Sequence, residues 1–444
     1  MSDDKTVHDD ETPASPGRRR WLIGAGVSTA GLVAGTAACP VHAYANAGGS
    51  GPQVANAPES DTLDQSIPFY GQYQPGIVTP RPAAGLVVAF DILARTTSDL
   101  ERLFRLLTER TAFLMKGGTP PDLDPRFPPS DSGILGPVVP PDNLTITTSV
   151  GASLFDDRFG LARSRPKRLQ RMVKFPNDAL ERDLCHGDLV MQFCSNTPDT
   201  NIHALRDIVR NTPDLLMVRW KQEGSVPVRA PNPHMPKESA RNYLGFRDGS
   251  ANPDSSDTPL MDRIVWVQPD GDEPEWAAHG SYQAVRIIRN FVERWDRTPL
   301  QEQETIIGRM KATGAPFDGK IEADVPAYDQ DPAGKVTPMT AHIRLANPRT
   351  SASDANLILR RPFNYSNGVT KSGQLDMGLL FIAYQADLEK GFIHVQTLLN
   401  GEPLEEYIKP VGGGYFFALP GVKDESDYLA RTLLMTAEPK NARG

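Results

Sequence analysis

Cysteine is scarce. Cys39, Cys185 and Cys194 are the only three, with no C-x-x-C pair, which leaves neither a disulfide scaffold nor a Cys-rich zinc site. An excess of basic charge is also missing: 47 Lys and Arg stand against 55 Asp and Glu, a formal charge of −8. Without a basic field for phosphate backbones, no nucleic-acid partner is expected. Beyond Ala38 no run is long and apolar enough to span a bilayer. Short catalytic signatures are lacking too. There is no H-E-x-x-H and no G-x-S-x-G, which disfavours a zinc hydrolase and a nucleophile elbow. Gly314–Ile321 approaches a P-loop, but Ile321 stands where the Mg²⁺-binding hydroxyl belongs and Pro316 interrupts the loop. Gly412-Gly413-Gly414 reads as a turn, too short for a dinucleotide fingerprint.

What is present is a chain of 444 residues, 39% hydrophobic, able to bury a sizeable core. At about 150 residues per domain, two or three units are expected. Near the N-terminus, Arg18, Arg19, Arg20, Trp21 and Leu22 precede an uncharged stretch to Ala38, the pattern of a twin-arginine export signal. Ala43, Ala45 and Ala47 offer A-x-A-like cleavage sites. The expected division is a signal peptide at 1–45, removing Cys39, then a flexible leader at 46–66. An N-terminal unit at 67–230 and a C-terminal unit at 231–440 follow. The twin-arginine route carries folded proteins, so this address favours a bound prosthetic group.

The body alternates strands and helices. Residues 85–94 suit a buried strand, and Ser98-Asp99-Leu100-Glu101 reads as a capping box opening a helix with Leu103, Phe104 and Leu107 on its face. Residues 117–143 are loop, Leu144–Val150 and Asp188–Cys194 are strands, and a helix follows with Ile202, Leu205, Ile208 and Val209 on one side. The second half repeats this grammar: a helix from Thr298-Pro299, a strand at Leu379–Tyr384, and a helix from about Asp387 to Asn400 ended by Gly401. Two α+β halves of similar plan are expected, divided in the Pro-rich stretch 226–240.

Two segments carry the chemistry. In Asn242-Tyr-Leu-Gly245-Phe246-Arg247-Asp248-Gly249-Ser250-Ala251-Asn252-Pro253 a lone Asp stands between glycines that allow close backbone approach. By spacing alone this is an Asp-Gly turn. The second segment is His342-Ile-Arg344-Leu-Ala-Asn347-Pro348-Arg349, followed by Arg360-Arg361-Pro362. A single His in a mostly apolar strand is ordinarily a core residue. Here it comes with arginines and no second metal ligand, which suits a haem, needing one axial imidazole and cations for its propionates.

Together these segments resemble the dye-decolourising (DyP-type) haem peroxidases. Asp248 in G-F-R-D-G looks like that family's G-x-x-D-G motif, His342 like its proximal His and Arg360 like its distal Arg, with Arg361 the neighbouring alternative. Residues 374–421 resemble the exported EfeB subgroup, described as deferrochelatase/peroxidase. The likeness runs from about Ile67 to Val422, with Tyr73 standing where many relatives are expected to carry His.

The resemblance implies two ferredoxin-like α+β units with antiparallel sheets, of the dimeric α+β barrel superfamily. It implies one haem b per chain, its iron ligated by His342, with Gly249, Ser250, Ala251, Asn347, Pro348, Arg349 and Arg360 as haem contacts. Asp248 is then the general acid/base toward H₂O₂ and Arg360 the stabiliser of developing negative charge. Asp387 is proposed as the carboxylate behind His342. Trp276, Trp295, Tyr365 and Tyr384 are candidates for carrying oxidising equivalents outward. The implied partners are H₂O₂, an organic reductant (dyes, phenols or porphyrinogens) and other components of an iron-uptake system. A homodimer and a periplasmic location are implied as well. An Asp base implies turnover of bulky donors that is best in mildly acid solution. A second reading is a haem-binding or iron-handling component with incidental peroxidase activity.

Overall fold

The computed structural model describes residues 64–227 and 238–438. The expected signal peptide, nearly all of the leader and most of the Pro-rich 226–240 stretch lie outside the described residues. No helix among the described residues is long and apolar enough to cross a membrane.

The N-terminal half runs β1 (Ala84–Ile92), α1 (Thr97–Lys116), β2 (Thr145–Gly151), β3 (Leu189–Ser195), α2 (Pro198–Asn211) and β4 (Leu216–Ser225). Its strands pair antiparallel in the order β2-β3-β1-β4, the ferredoxin-like arrangement. The C-terminal half supplies β5 (Ser281–Asn290), β6 (Leu359–Arg360), β7 (Phe363–Val369), β8 (Leu375–Gln385) and β9 (Ile408–Ala418). These pair antiparallel as β9-β5-β8-β7. The two sheets join edge to edge, β2 on β9 over three ladder pairs and β4 on β7 at the single pair Ser225↔Asn364. With β5 also on β8, the strands form one closed antiparallel ring.

Closure explains why β1 reads as an unbroken apolar run instead of an alternation. Leu86, Val88 and Phe90 pack outward with α1 and α2, while Val87 and Ala89 pack inward with Val190, Val285 and Phe416. Both faces of this strand are buried, so its side chains on both are apolar from Leu86 to Phe90. Helix α1 buries Leu100, Leu103, Phe104 and Leu107 against the outer face. Its cap is not the expected Ser98 box: the Thr96 side chain accepts from Asp99 N–H at 3.0 Å, two residues earlier. On α2, Val209 is 40% exposed and falls off the core face.

β6 and β7 are one strand interrupted. Leu359↔Tyr384, Arg360↔Ala383 and Phe363↔Leu380 keep the same register on β8. The break falls at Arg361-Pro362, where proline has no N–H to give to the ladder. This places Arg360 at the strand's end with its side chain free of the barrel interior.

The Gly412-Gly413-Gly414 run, expected as a turn, lies inside β9. It passes a bulge against β5 between Ile287 and Ile288. Gly413 has φ +119°, and a Cβ there would overlap the Val285 carbonyl oxygen. Gly413→Ala is therefore expected to destabilise the fold by about 1–3 kcal/mol, read as a lower urea midpoint with an unchanged slope. An unchanged midpoint would contradict this account of the bulge.

Candidate active site

Asp248 sits in a loop shaped by its flanking glycines. Arg241 and Arg247 form an isolated β-bridge, Gly245 takes φ +85°, and Asp248 N–H donates to the Ala240 carbonyl at 2.9 Å. Gly249 needs room instead of an unusual dihedral, because a Cβ would lie 2.6 Å from the Ser239 Cβ. Phe246 is buried edge-on to Trp295, with ring centroids 6.0 Å apart, and anchors the loop. Glu322, absent from the sequence reading, ties this loop down further. Its carboxylate accepts from the Ser239 N–H at 3.0 Å, from the Ser239 hydroxyl, and from Ser250 Oγ at 2.9 Å.

The Arg360 guanidinium reaches Asp248 from the end of β6, Nη1 to Oδ1 at 2.6 Å. Both side chains are largely shielded, at 26% and 12% exposure, so the pair holds its geometry better than a surface ion pair. Arg361, the neighbouring alternative, is turned away by strand alternation: its buried guanidinium donates to the Thr79 carbonyl.

His342 does not lie in a strand as expected. It opens the short helix His342–Ala346, too brief to show helical periodicity. The ring is 32% exposed, and its Nδ1 meets Glu402 Oε2 at 2.7 Å. Burial opposes protonation of the imidazole, yet Glu402 outweighs it and holds the pKa above the usual histidine value. With Nδ1 committed to Glu402, Nε2 is the nitrogen available to a metal. Asp387 does not fill this role. It pairs with Arg168 at 2.9 Å and accepts from the backbone N–H groups of Glu389 and Lys390. The helix expected from Asp387 is a π-helical turn at Glu389–Ile393, kinked at Gly391, followed by His394–Leu398.

One cavity gathers these groups. Asp248, Gly249, Ser250, Ala251, His342, Asn347, Arg360 and Glu402 all line it, over a wall that includes Ile288, Leu379 and Phe381 from β5 and β8. Pro348 and Arg349 are not part of the lining. Arg349 takes φ +56° beyond Asn347, whose Oδ1 accepts its N–H at 3.0 Å. Its charge reaches Arg309, a lining cation that burial shifts below the usual guanidinium pKa. Tyr73 lies elsewhere, stacked on Trp266 at 4.2 Å with its hydroxyl donating to Asp262 at 3.3 Å. Among the aromatic candidates, Trp295 packs on the lining residue Phe246, while Tyr365 and Tyr384 belong to the barrel interior and Trp276 to the outer core.

The donor set fits a haem. Among the described residues no three His, Cys, Asp or Glu converge to cage a bare metal ion. A single imidazole backed by a carboxylate, an apolar wall and an Asp–Arg pair suit an iron already held by a macrocycle.

Comparison with known proteins shows the family. Residues 74–225 match the Dyp-type peroxidase N-terminal model and residues 239–423 the C-terminal model. The chain is 58% identical over 420 residues to the deferrochelatase of Escherichia coli K12, covering 94% of this chain and 97% of that protein. Among solved structures it resembles a DyP-type peroxidase from Streptomyces coelicolor (TM-score 0.76, 32% identity, 85% of this chain and 99% of that one). It likewise resembles ferric DtpA from Streptomyces lividans (TM-score 0.75, 33% identity, 85% and 100%). With both halves matched and identity sustained along nearly its whole length, the chain belongs to the Dyp-type peroxidase family of haem enzymes.

Proposed function

We propose that this peroxidase binds one haem b per chain with His342 as axial ligand, and that Asp248 and Arg360 activate H₂O₂ for the oxidation of bulky organic donors. The observation that carries the reading is one cavity lined by both the His342–Glu402 pair and the Asp248–Arg360 pair. Bound haem supplies the redox chemistry of O–O cleavage. The chain's own residues do the rest. Asp248 accepts the proton from one peroxide oxygen and returns it to the other, which leaves as water. Arg360 holds fixed positive charge beside that transfer and stabilises negative charge as the bond breaks. Glu402 keeps His342 Nδ1 engaged and so orients Nε2. Gly249, Ser250, Ala251 and Asn347 form the nearby wall, with Arg309 as a cation for a propionate.

Glu402→Gln tests the reading from the His342 side. The account expects the haem reduction potential to rise and the peroxide reaction to slow about 10–100-fold, measured by redox titration and stopped-flow mixing on the holoenzyme. An unchanged potential would detach Glu402 from the iron ligand.

The identity to proteins named deferrochelatase supports a second reading, removal of iron from haem with the porphyrin left intact. Asp248→Asn separates the two: iron release that survives loss of peroxide reactivity favours iron handling as the main role. Export by the twin-arginine route to the periplasm, service to an iron-uptake system and a homodimeric state complete the proposal. The leader from Arg18 to Ala47 supports the export element, and fractionation of cells expressing the full chain and an Arg18/Arg19/Arg20→Lys variant tests it.

A further inference from the structure

We infer that Asn252 is a positioning residue that fixes the Asp248–Arg360 pair, an inference resting on the peroxidase reading of that pair. The Asn252 carboxamide faces the backbone of Arg360. Its Nδ2 donates to the Arg360 carbonyl at 3.0 Å, and its Oδ1 accepts the Arg360 N–H at 2.8 Å. A carboxamide carries a donor and an acceptor along one edge, so it answers the N–H and C=O that an extended residue turns to the same side and stands in for a neighbouring strand.

The need for such a stand-in follows from the barrel. One edge of β6 is paired with β8 through Leu359↔Tyr384 and Arg360↔Ala383. The strand that would cover the other edge is β4, but its ladder with the β6–β7 line consists of Ser225↔Asn364 alone. Arg360 lies beyond that pair, next to the Arg361-Pro362 break. Without Asn252 its outer N–H and C=O would lack protein partners.

Asn252 also belongs to the Asp248 loop. Its own N–H donates to the Gly249 carbonyl at 3.0 Å, closing a turn directly after Asp248. On the other side, Glu322 holds Ser239 and Ser250. The loop carrying the acid/base and the strand carrying the cation are thus joined twice, through the Arg360–Asp248 side chains at 2.6 Å and through the Asn252 amide. The amide contact fixes the two backbones, which lets the side-chain contact keep one geometry. A misplacement of about 1 Å in such a pair can slow a reaction about 10²-fold.

The test uses Asn252→Ala and the isosteric Asn252→Asp, which retains an acceptor for the Arg360 N–H and loses the donor. Both are expected to keep wild-type haem content. The second-order rate constant with H₂O₂ should fall about 10–100-fold for Asn252→Ala and less for Asn252→Asp. Amide hydrogen exchange in segment 357–361 should rise for Asn252→Ala in haem-free and haem-loaded protein alike. In an Asp248→Asn background, adding Asn252→Ala should cause no further loss, because the pair it positions is already disabled. Unchanged exchange or an unchanged peroxide rate in a folded variant overturns the inference. So does an equal further loss in the Asp248→Asn background, which would assign Asn252 to general stability. If Asp248→Asn alone reacts at the wild-type rate, the peroxidase reading of Asp248 fails, and the inference falls with its premise.

Discussion

Haem-loaded Asp248→Asn protein is expected to react with H₂O₂ about 10²–10⁴ times more slowly than wild type, the span that positioned acid/base groups contribute, and to keep its Soret band. The substitution preserves shape, and the amide oxygen can still accept from Arg360 Nη1, now 2.6 Å from the carboxylate. What it removes is the ability to take up a proton and give it back. Loop anchors that bypass Asp248 remain: Glu322 on Ser250 and Asn252 on Arg360. Haem binding should therefore survive while peroxide reactivity is lost. Stopped-flow mixing with peroxide measures the effect. A variant within threefold of wild type would remove Asp248 from the chemistry.

His342→Ala has the other large effect, on the cofactor itself. The imidazole is the one side chain in the cavity with a nitrogen free for iron and a carboxylate behind it. Losing the carboxylate that hydrogen-bonds a metal-ligating imidazole typically costs about 10–100-fold in metal affinity or activity, and losing the imidazole itself should exceed that. The purified variant is expected to carry much less haem, with a shifted Soret band in whatever remains. Added imidazole should restore part of the wild-type spectrum by entering the space left by the side chain. Full haem content with an unshifted spectrum would point to a different ligand.

Much of the site was legible because its chemistry sits in short segments. G-F-R-D-G and the His342 and Arg360 segments are far apart in the chain, yet the fold brings them to one cavity. The choice of Arg360 over Arg361 required the strand, since alternation sends consecutive side chains to opposite faces. Glu402 could not be chosen over Asp387 by pattern. Both are acidic residues beside a helical segment, and the decision depends on the kink at Gly391 and the turns that return the chain past His342. Asn252 lies within the Asp248 segment, but nothing in that segment gives it a role, for its value lies in an edge that β4 leaves uncovered.

The fold shows the same division. The plan of two α+β halves follows from local patterning, and both halves do adopt it. Ring closure rests on pairings between β2 and β9 and between β4 and β7, contacts too distant in sequence for any window to register. The glycine run in β9 was misread for a related reason. Glycines there answer to the Val285 carbonyl and Leu184 on neighbouring segments, which nothing in the run itself discloses.

The most direct measurement is a crystal structure of the haem-loaded protein. The account expects iron bonded to Nε2 of His342, with Glu402 on Nδ1, and the Asp248 carboxylate over the opposite face of the porphyrin beside Arg360. Iron ligated by another residue, or Asp248 on the same face as His342, would contradict it.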